Sequence, residues 1–190
     1  MIVDASSPSP LHIQRPVLTV AGIYGSGPRH WQTLWEQKHA NVRRVQQRDW
    51  DYPVMQEWVA AIDEAVAGSV QPPLLVAHSL GCLAAAHWCA QSARAVHAVL
   101  MVALPDPAGP NFPPDARGFE PAPSSLRDRA CRVLASTDDP YSNLPFVTLH
   151  ARMWRADLQV LGAFGHLNDQ TGLGDWDNGW QHALELAAPA

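Results

Sequence analysis

Ser79 sits in the pentad "AHSLG", between a short apolar run at 74–77 and an alanine-rich stretch at 80–91. The spacing predicts a strand that turns at once into a helix. Such a turn forces its central residue into a strained backbone conformation and projects the side chain above the sheet edge. Small residues are needed two positions before and two after it, because the strand and helix backbones pass close together. Ala77 and Gly81 occupy those positions. The first amide of the helix, that of Leu80, then points toward an oxyanion forming near Ser79.

A serine hydroxyl is a poor nucleophile until a base takes its proton, and the base must itself be held by an acid. Asp138 and Asp139 follow an apolar run at 131–136, in "STDDPYS", and His166 follows another at 158–162, in "GHLND". Serine, aspartate and histidine therefore arrive in the order this topology uses, each at the carboxyl end of an expected strand. Asp139, immediately before Pro140, is the preferred acid; Asp138 is expected to bond the turn or face solvent. A second oxyanion amide must come from another strand-end loop. "AGIYGSG" (21–27) is the natural source, with Ile23 the expected donor, Tyr24 the alternative, and Gly22 allowing close backbone approach. Taken singly, Ser79 reads as a helix cap, His166 as a structural histidine and the glycine loop as a plain turn. Their ordered combination favours catalysis.

The elements that must position these groups alternate along the chain. Strands are expected at 17–21, 42–46, 74–77, 96–103, 131–136 and 158–162, with the second at a sheet edge. Helices are expected at 29–40, 54–67, 80–91, 144–154 and 176–187, the last capped by Asp175 or Asp177. The better strands are continuously apolar, as in a parallel sheet covered on both faces. The expected fold class is α/β, a three-layer α/β/α sandwich on a mostly parallel sheet of about six strands. The whole chain, 1–190, reads as one domain with a loose leader at 1–16. Residues 104–129 hold seven of the 17 prolines and little periodicity, and are expected to form a rim or lid over the site. His78, beside the nucleophile, could support the site, but strand alternation points it away from Ser79; His87, Trp88 and Cys89 should pack.

Composition limits the partners. One lysine, scattered arginines and a formal net charge of -5 offer nucleic acid no basic surface, and Arg43-Arg44 reads as a solvated edge. Cys82, Cys89 and Cys131 lack metal spacing and read as small buried residues in a reducing compartment. "GDWDNG" lacks the acidic spacing of a calcium loop, and no phosphate-binding glycine motif is present. The expectation is therefore a small-molecule acyl substrate with no metal, no cofactor and no indicated protein partner. The N-terminus lacks a cationic start and no run approaches membrane-spanning length, so a cytoplasmic location is expected.

Four stretches, "GIYGSGPRHWQTLWE", "LLVAHSLGCLAAAHW", "STDDPYS" and "GHLNDQTGLGDW", together resemble the small serine hydrolases of the RBBP9/YdeN type, within the α/β-hydrolase superfamily. The resemblance runs over about 17–180. It implies a minimal α/β-hydrolase without a large inserted cap, with Ser79 as nucleophile, Asp139 as acid and His166 as base. Ala77 departs from the superfamily's usual glycine in a way this family tolerates. Members are assigned as esterases, peptidase-like hydrolases or proteins of unknown activity, and some as protein-binding factors, so the resemblance implies no single substrate. The expected activity is hydrolysis of small carboxylic esters or related acyl compounds. Amide cleavage, acyl transfer to another acceptor and a binding module that keeps the hydrolase fold are the rival readings.

Overall fold

Strands buried on both faces read as largely apolar runs, and three such runs, "VLTV", "LLVAH" and "AVLMV", form the centre of the sheet. The computed structural model describes residues 13–188. Its strands are β1 (Val17–Val20), β2 (Val42–Arg44), β3 (Leu74–His78), β4 (Ala98–Val102), β5 (Cys131–Ala135) and β6 (Asp157–Val160). The helices are α1 (Trp31–Lys38), α2 (Met55–Ala67), α3 (Leu80–Gln91), α4 (Leu144–Met153) and α5 (Asp177–Ala187). The strands lie in the order β2-β1-β3-β4-β5-β6, and every neighbouring pair is parallel. Every residue of β1, β3 and β4 is buried, whereas β6 at the far edge is only half-buried.

Side chains alternate across this sheet with a period of two. Leu75, Ala77, Val99, Met101 and Val133 meet α2, α3 and α4 on one face. Leu74, Val76, Leu100, Val102 and Leu134 meet α1 and α5 on the other. The result is the three-layer α/β/α sandwich. Trp31 and Trp35 of α1 interlock with Trp176 and Trp180, ring centroids 4.9 to 6.3 Å apart, and join the two helices of that second layer. Among the described residues no helix is long and apolar enough to cross a membrane.

The strand order places a switch point between β1 and β3, where successive crossovers leave in opposite directions. Ligands of open parallel sheets bind in the crevice at the carboxyl ends of such strands. The register pairs Val20 with Ala77, and Ala77 with Met101, so the loop after β1 and the turn after β3 emerge side by side.

The elements differ from expectation at several ends. The edge strand β2 stops at Arg44, two residues early. Helix α5 is not capped by Asp175 or Asp177: Trp176 fills the cap position in a left-handed conformation, φ 42°. Both carboxylates instead face the Lys38 ammonium, at 2.7 and 3.3 Å. The first 12 residues of the leader lie outside the described residues. Its end is tied down, for Ile13 is buried and the Asn41 amide donates to the carbonyls of Ile13 and Arg15 at 2.7 and 2.8 Å.

Candidate active site

Ser79 links β3 to α3 with φ 54° and ψ -129°, a strained conformation for a residue with a side chain. The packing around it explains its small neighbours. A Cβ on Gly81 would lie 2.3 Å from the Val20 carbonyl oxygen and 2.7 Å from that of Ala21, so α3 could not start where it does. A Cβ on Gly22 would lie 2.8 Å from the Ser79 Cβ, so the loop after β1 can pass beside the serine only as glycine. Ala77 carries its methyl into the core, fully buried beside α3.

The structure brings Ser79, His166 and Asp139 together. The Ser79 hydroxyl lies 2.7 Å from His166 Nε2. The opposite ring nitrogen, Nδ1, lies 2.9 and 3.0 Å from the two oxygens of Asp139. A carboxylate can only accept there, so Nδ1 carries the proton and Nε2 presents its lone pair to the serine. Asp139 is in turn held by the amide of Tyr141, at 2.9 Å. The His166 and Asp139 side chains are 9% and 5% exposed, which keeps this line of bonds largely out of water.

Asp138 has a different setting. Its Oδ1 accepts from the Ser136 hydroxyl at 2.6 Å and from the Gly165 amide at 2.7 Å. These bonds, Ser136 foremost, hold its carboxyl below the usual carboxylate range. It bonds the turn that carries the histidine, as expected, and does not meet the imidazole.

Of the two candidate amides after β1, that of Tyr24 is committed elsewhere. It donates to the Trp50 carbonyl at 2.8 Å, with Tyr24 at φ 66°. The Gly25 amide closes a turn on the Gly22 carbonyl at 3.1 Å. Tyr24 is thereby corrected as the alternative oxyanion donor, and Ile23 is the amide of this loop left for the role. Leu80, buried at the first position of α3, keeps an amide that no helical carbonyl can reach.

These groups open into a cavity of about 580 Å³, lined among others by Ile23, Tyr24, Ser79, Phe112, Tyr141 and His166. Pro105, Asn111, Pro113 and Pro114 of the proline-rich stretch also face it. That stretch is stitched to the sandwich at several points. Phe119 and Leu126 are buried, the His87 ring meets the Phe119 carbonyl at 3.1 Å, and the Trp154 indole donates to Pro123 O at 2.8 Å.

With the geometry in place, comparison decides the family: the model of the serine hydrolase family matches residues 17–185. The chain belongs to that family. A YdeN-like hydrolase of Pectobacterium atrosepticum is 28% identical, with TM-score 0.81 over 90% of each chain. The ydeN product of Bacillus subtilis is 19% identical, with TM-score 0.75 over 91% of this chain and 98% of that one, and shares the fold. So does Est1E of Butyrivibrio proteoclasticus, a structure with ferulic acid bound: 12% identity and TM-score 0.68 over 96% and 93% of the two chains. No curated protein matches.

The serine hydrolase also uses residues that sequence reasoning passed over. Gln32 of α1 accepts from the Ser26 hydroxyl at 2.6 Å and donates to the Val76 carbonyl at 3.0 Å, tying the glycine loop to β3. Arg44 is no solvated edge: it donates to the Ser26 carbonyl at 2.8 Å and pairs with Glu36 at 2.9 Å, its side chain 16% exposed. A lone glutamine and an arginine in a weak strand carry no local signal of that bracing.

Alternation does turn His78 to the α1 face, but this does not remove it from the site. Its Nε2 lies 3.0 Å from the His166 carbonyl, and it lines the cavity. His30, the cap of α1, packs edge-on against it at 4.7 Å. The His30 Nδ1 accepts from the Gln32 amide, and its buried Nε2 has no hydrogen-bond partner among the described residues. Burial pushes His30 down to about 4 and His78 well below the ordinary histidine value.

A pH dependence of stability follows. The unfolded chain takes a proton on His30 below about 6.5, whereas the folded chain resists until about 4. Stability is therefore intact above pH 6.5 and falls as pH drops from 6.5 toward 4, by about 3 kcal/mol from this group, with His78 adding in the same direction. Urea midpoints across pH 4 to 8 should show this loss. His30→Asn, which can keep the cap, should reduce it by about the His30 share and leave the part due to His78.

Proposed function

We propose that this serine hydrolase cleaves small carboxylic esters or related acyl compounds, with Ser79 as nucleophile, His166 as base and Asp139 as the acid that orients it. The observation that carries the reading is the unbroken line from the Ser79 hydroxyl through His166 to the Asp139 carboxylate, at 2.7 and 2.9 Å, set on a strained turn that faces a cavity.

As Ser79 attacks the carbonyl carbon, its proton passes to His166 Nε2, and the imidazolium is stabilised by Asp139 across Nδ1. The amides of Leu80 and Ile23 hold the oxyanion, fixed before reaction by the helix start and the glycine loop. His166 returns the proton to the leaving alcohol. Water, deprotonated by the same nitrogen, then attacks the acyl carbon; the bond from that carbon to Ser79 Oγ breaks, His166 returns the proton to Ser79, and the acid is released. Each bond change uses residues of this chain and water alone. Residues 104–129 and Tyr24 shape the acyl pocket as a rim on a single α/β-hydrolase unit.

Matched ester and amide substrates with the same acyl group test the substrate class. Esters should be turned over about a hundred-fold faster, since an ester lacks the amide's resonance stabilisation and its oxygen can leave with the proton only partly transferred, whereas an amide nitrogen must be fully protonated by His166 before it leaves. Equal rates would favour the peptidase-like reading. Turnover of neither, in folded protein, would favour a binding module.

A further inference from the structure

The base hangs on a short loop that carries two left-handed residues on either side of it, Gly165 at φ 52° and Leu167 at φ 49°. Such backbone holds its shape only where the surroundings over-determine it. Four bonds do so here, and they come from two sides. On the acid side, the Ser136 hydroxyl accepts from the Phe164 amide at 2.8 Å, and Asp138 accepts from the Gly165 amide at 2.7 Å. On the nucleophile side, two ring N–H groups grip consecutive carbonyls. The His78 imidazole bonds the carbonyl of His166 itself at 3.0 Å, and the Trp31 indole donates to that of Leu167 at 2.9 Å.

We infer that His78 is a positioning residue for the base, donating from Nε2 to the backbone carbonyl of His166 and so setting where the catalytic imidazole stands relative to Ser79. The inference rests on the reading of Ser79 and His166 given above. A carbonyl only accepts, so His78 Nε2 must carry a proton. His78 as a residue is 5% exposed, and its ring packs against His166 at 5.1 Å, against His30 at 4.7 Å and against Trp31 at 5.9 Å. Burial, with the neighbouring His30 and His166 rings, keeps it uncharged. A neutral donor fits this place: it fixes the carbonyl without setting a positive charge beside a base that must itself become positive. His78 is also the last residue of β3 and the immediate neighbour of Ser79. One strand end therefore sets both the nucleophile and, through this bond, the histidine that activates it. Proton transfer between the two is steep in distance, and a displacement of about 1 Å can cost about a hundred-fold in rate.

The test compares wild type, His78→Ala, His78→Gln and Ser79→Ala in their reaction with a fluorophosphonate, resolving kinact from KI, with thermal melting as the control for folding. Gln places an amide N–H near the position of His Nε2 and keeps the donor; Ala removes it. Folded His78→Ala should lose about ten- to a hundred-fold in kinact with KI within about threefold of wild type, and His78→Gln should recover to within about fivefold of wild type. Wild-type kinact in folded His78→Ala overturns the inference. So does a His78→Gln variant that is folded and as slow as the alanine variant. If His78→Ala does not fold, the glutamine variant alone decides, on the same limit. Failure of the underlying reading looks different: wild type itself would not react, or Ser79→Ala would react as wild type does.

Discussion

Replacing His166 with alanine is expected to lower kcat for ester hydrolysis by about ten-thousand-fold to a million-fold, with the protein still folded. The imidazole lies within hydrogen-bond reach of the Ser79 hydroxyl, at 2.7 Å, placed to take its proton. Without it the serine must lose its proton to water, at an ordinary alcohol's reluctance. What would remain is the binding and oxyanion contribution of Leu80 and Ile23, about a thousand-fold to ten-thousand-fold over water. The effect should fall on kcat and leave KM nearly unchanged, because the ring's bond to Ser79 exists before substrate binds and matters only as the bond to carbon forms. Steady-state kinetics on a p-nitrophenyl ester, with circular dichroism as a folding check, would measure it. A loss smaller than about a hundred-fold would remove His166 as the base.

Asp139→Asn is expected to cost about ten-thousand-fold in kcat while leaving the architecture intact. Both carboxylate oxygens of Asp139 lie within 3.0 Å of His166 Nδ1. An asparagine can turn its NH2 toward that nitrogen, which then favours the tautomer with the proton on Nε2, and an Nε2–H cannot receive the serine proton. Asp138→Asn is the matched control. Its Oδ1 accepts from Ser136 and Gly165, and an asparagine oxygen can accept both, so the loss should stay within about tenfold. If the two losses were reversed, the acid would be Asp138.

The parts of this molecule that were legible in the sequence are those dictated by local rules. Largely apolar runs marked the central strands, and three of those that form the sheet are buried at every position, Thr19 and His78 included. The strand-to-helix turn at Ser79 was readable because close backbone passage demands small side chains at Ala77 and Gly81, and the Gly81 environment shows how tight that passage is. What escaped depends on partners distant along the chain. The Tyr24 amide was open to assignment until the Trp50 carbonyl, 26 residues on, was seen to accept from it. Alternation pointed His78 away from Ser79 but could not show what it meets there, since the loop that brings the His166 carbonyl to its ring lies 88 residues away. The cap of α5 was misread for a similar reason: Lys38, on another helix, draws off both aspartates that could have filled it. Arg44 looked solvated because neither Glu36 nor the Ser26 carbonyl is its neighbour in sequence.

The proposed reaction depends above all on Ser79 being an activated nucleophile. Incubation with a fluorophosphonate near neutral pH, followed by digestion and mass spectrometry, reads this directly. The prediction is stoichiometric phosphonylation within minutes, on the peptide carrying Ser79, and no adduct in Ser79→Ala. Folded protein that stays unlabelled both by this reagent and by a smaller acylating ester, or that carries the adduct at another residue, would contradict it.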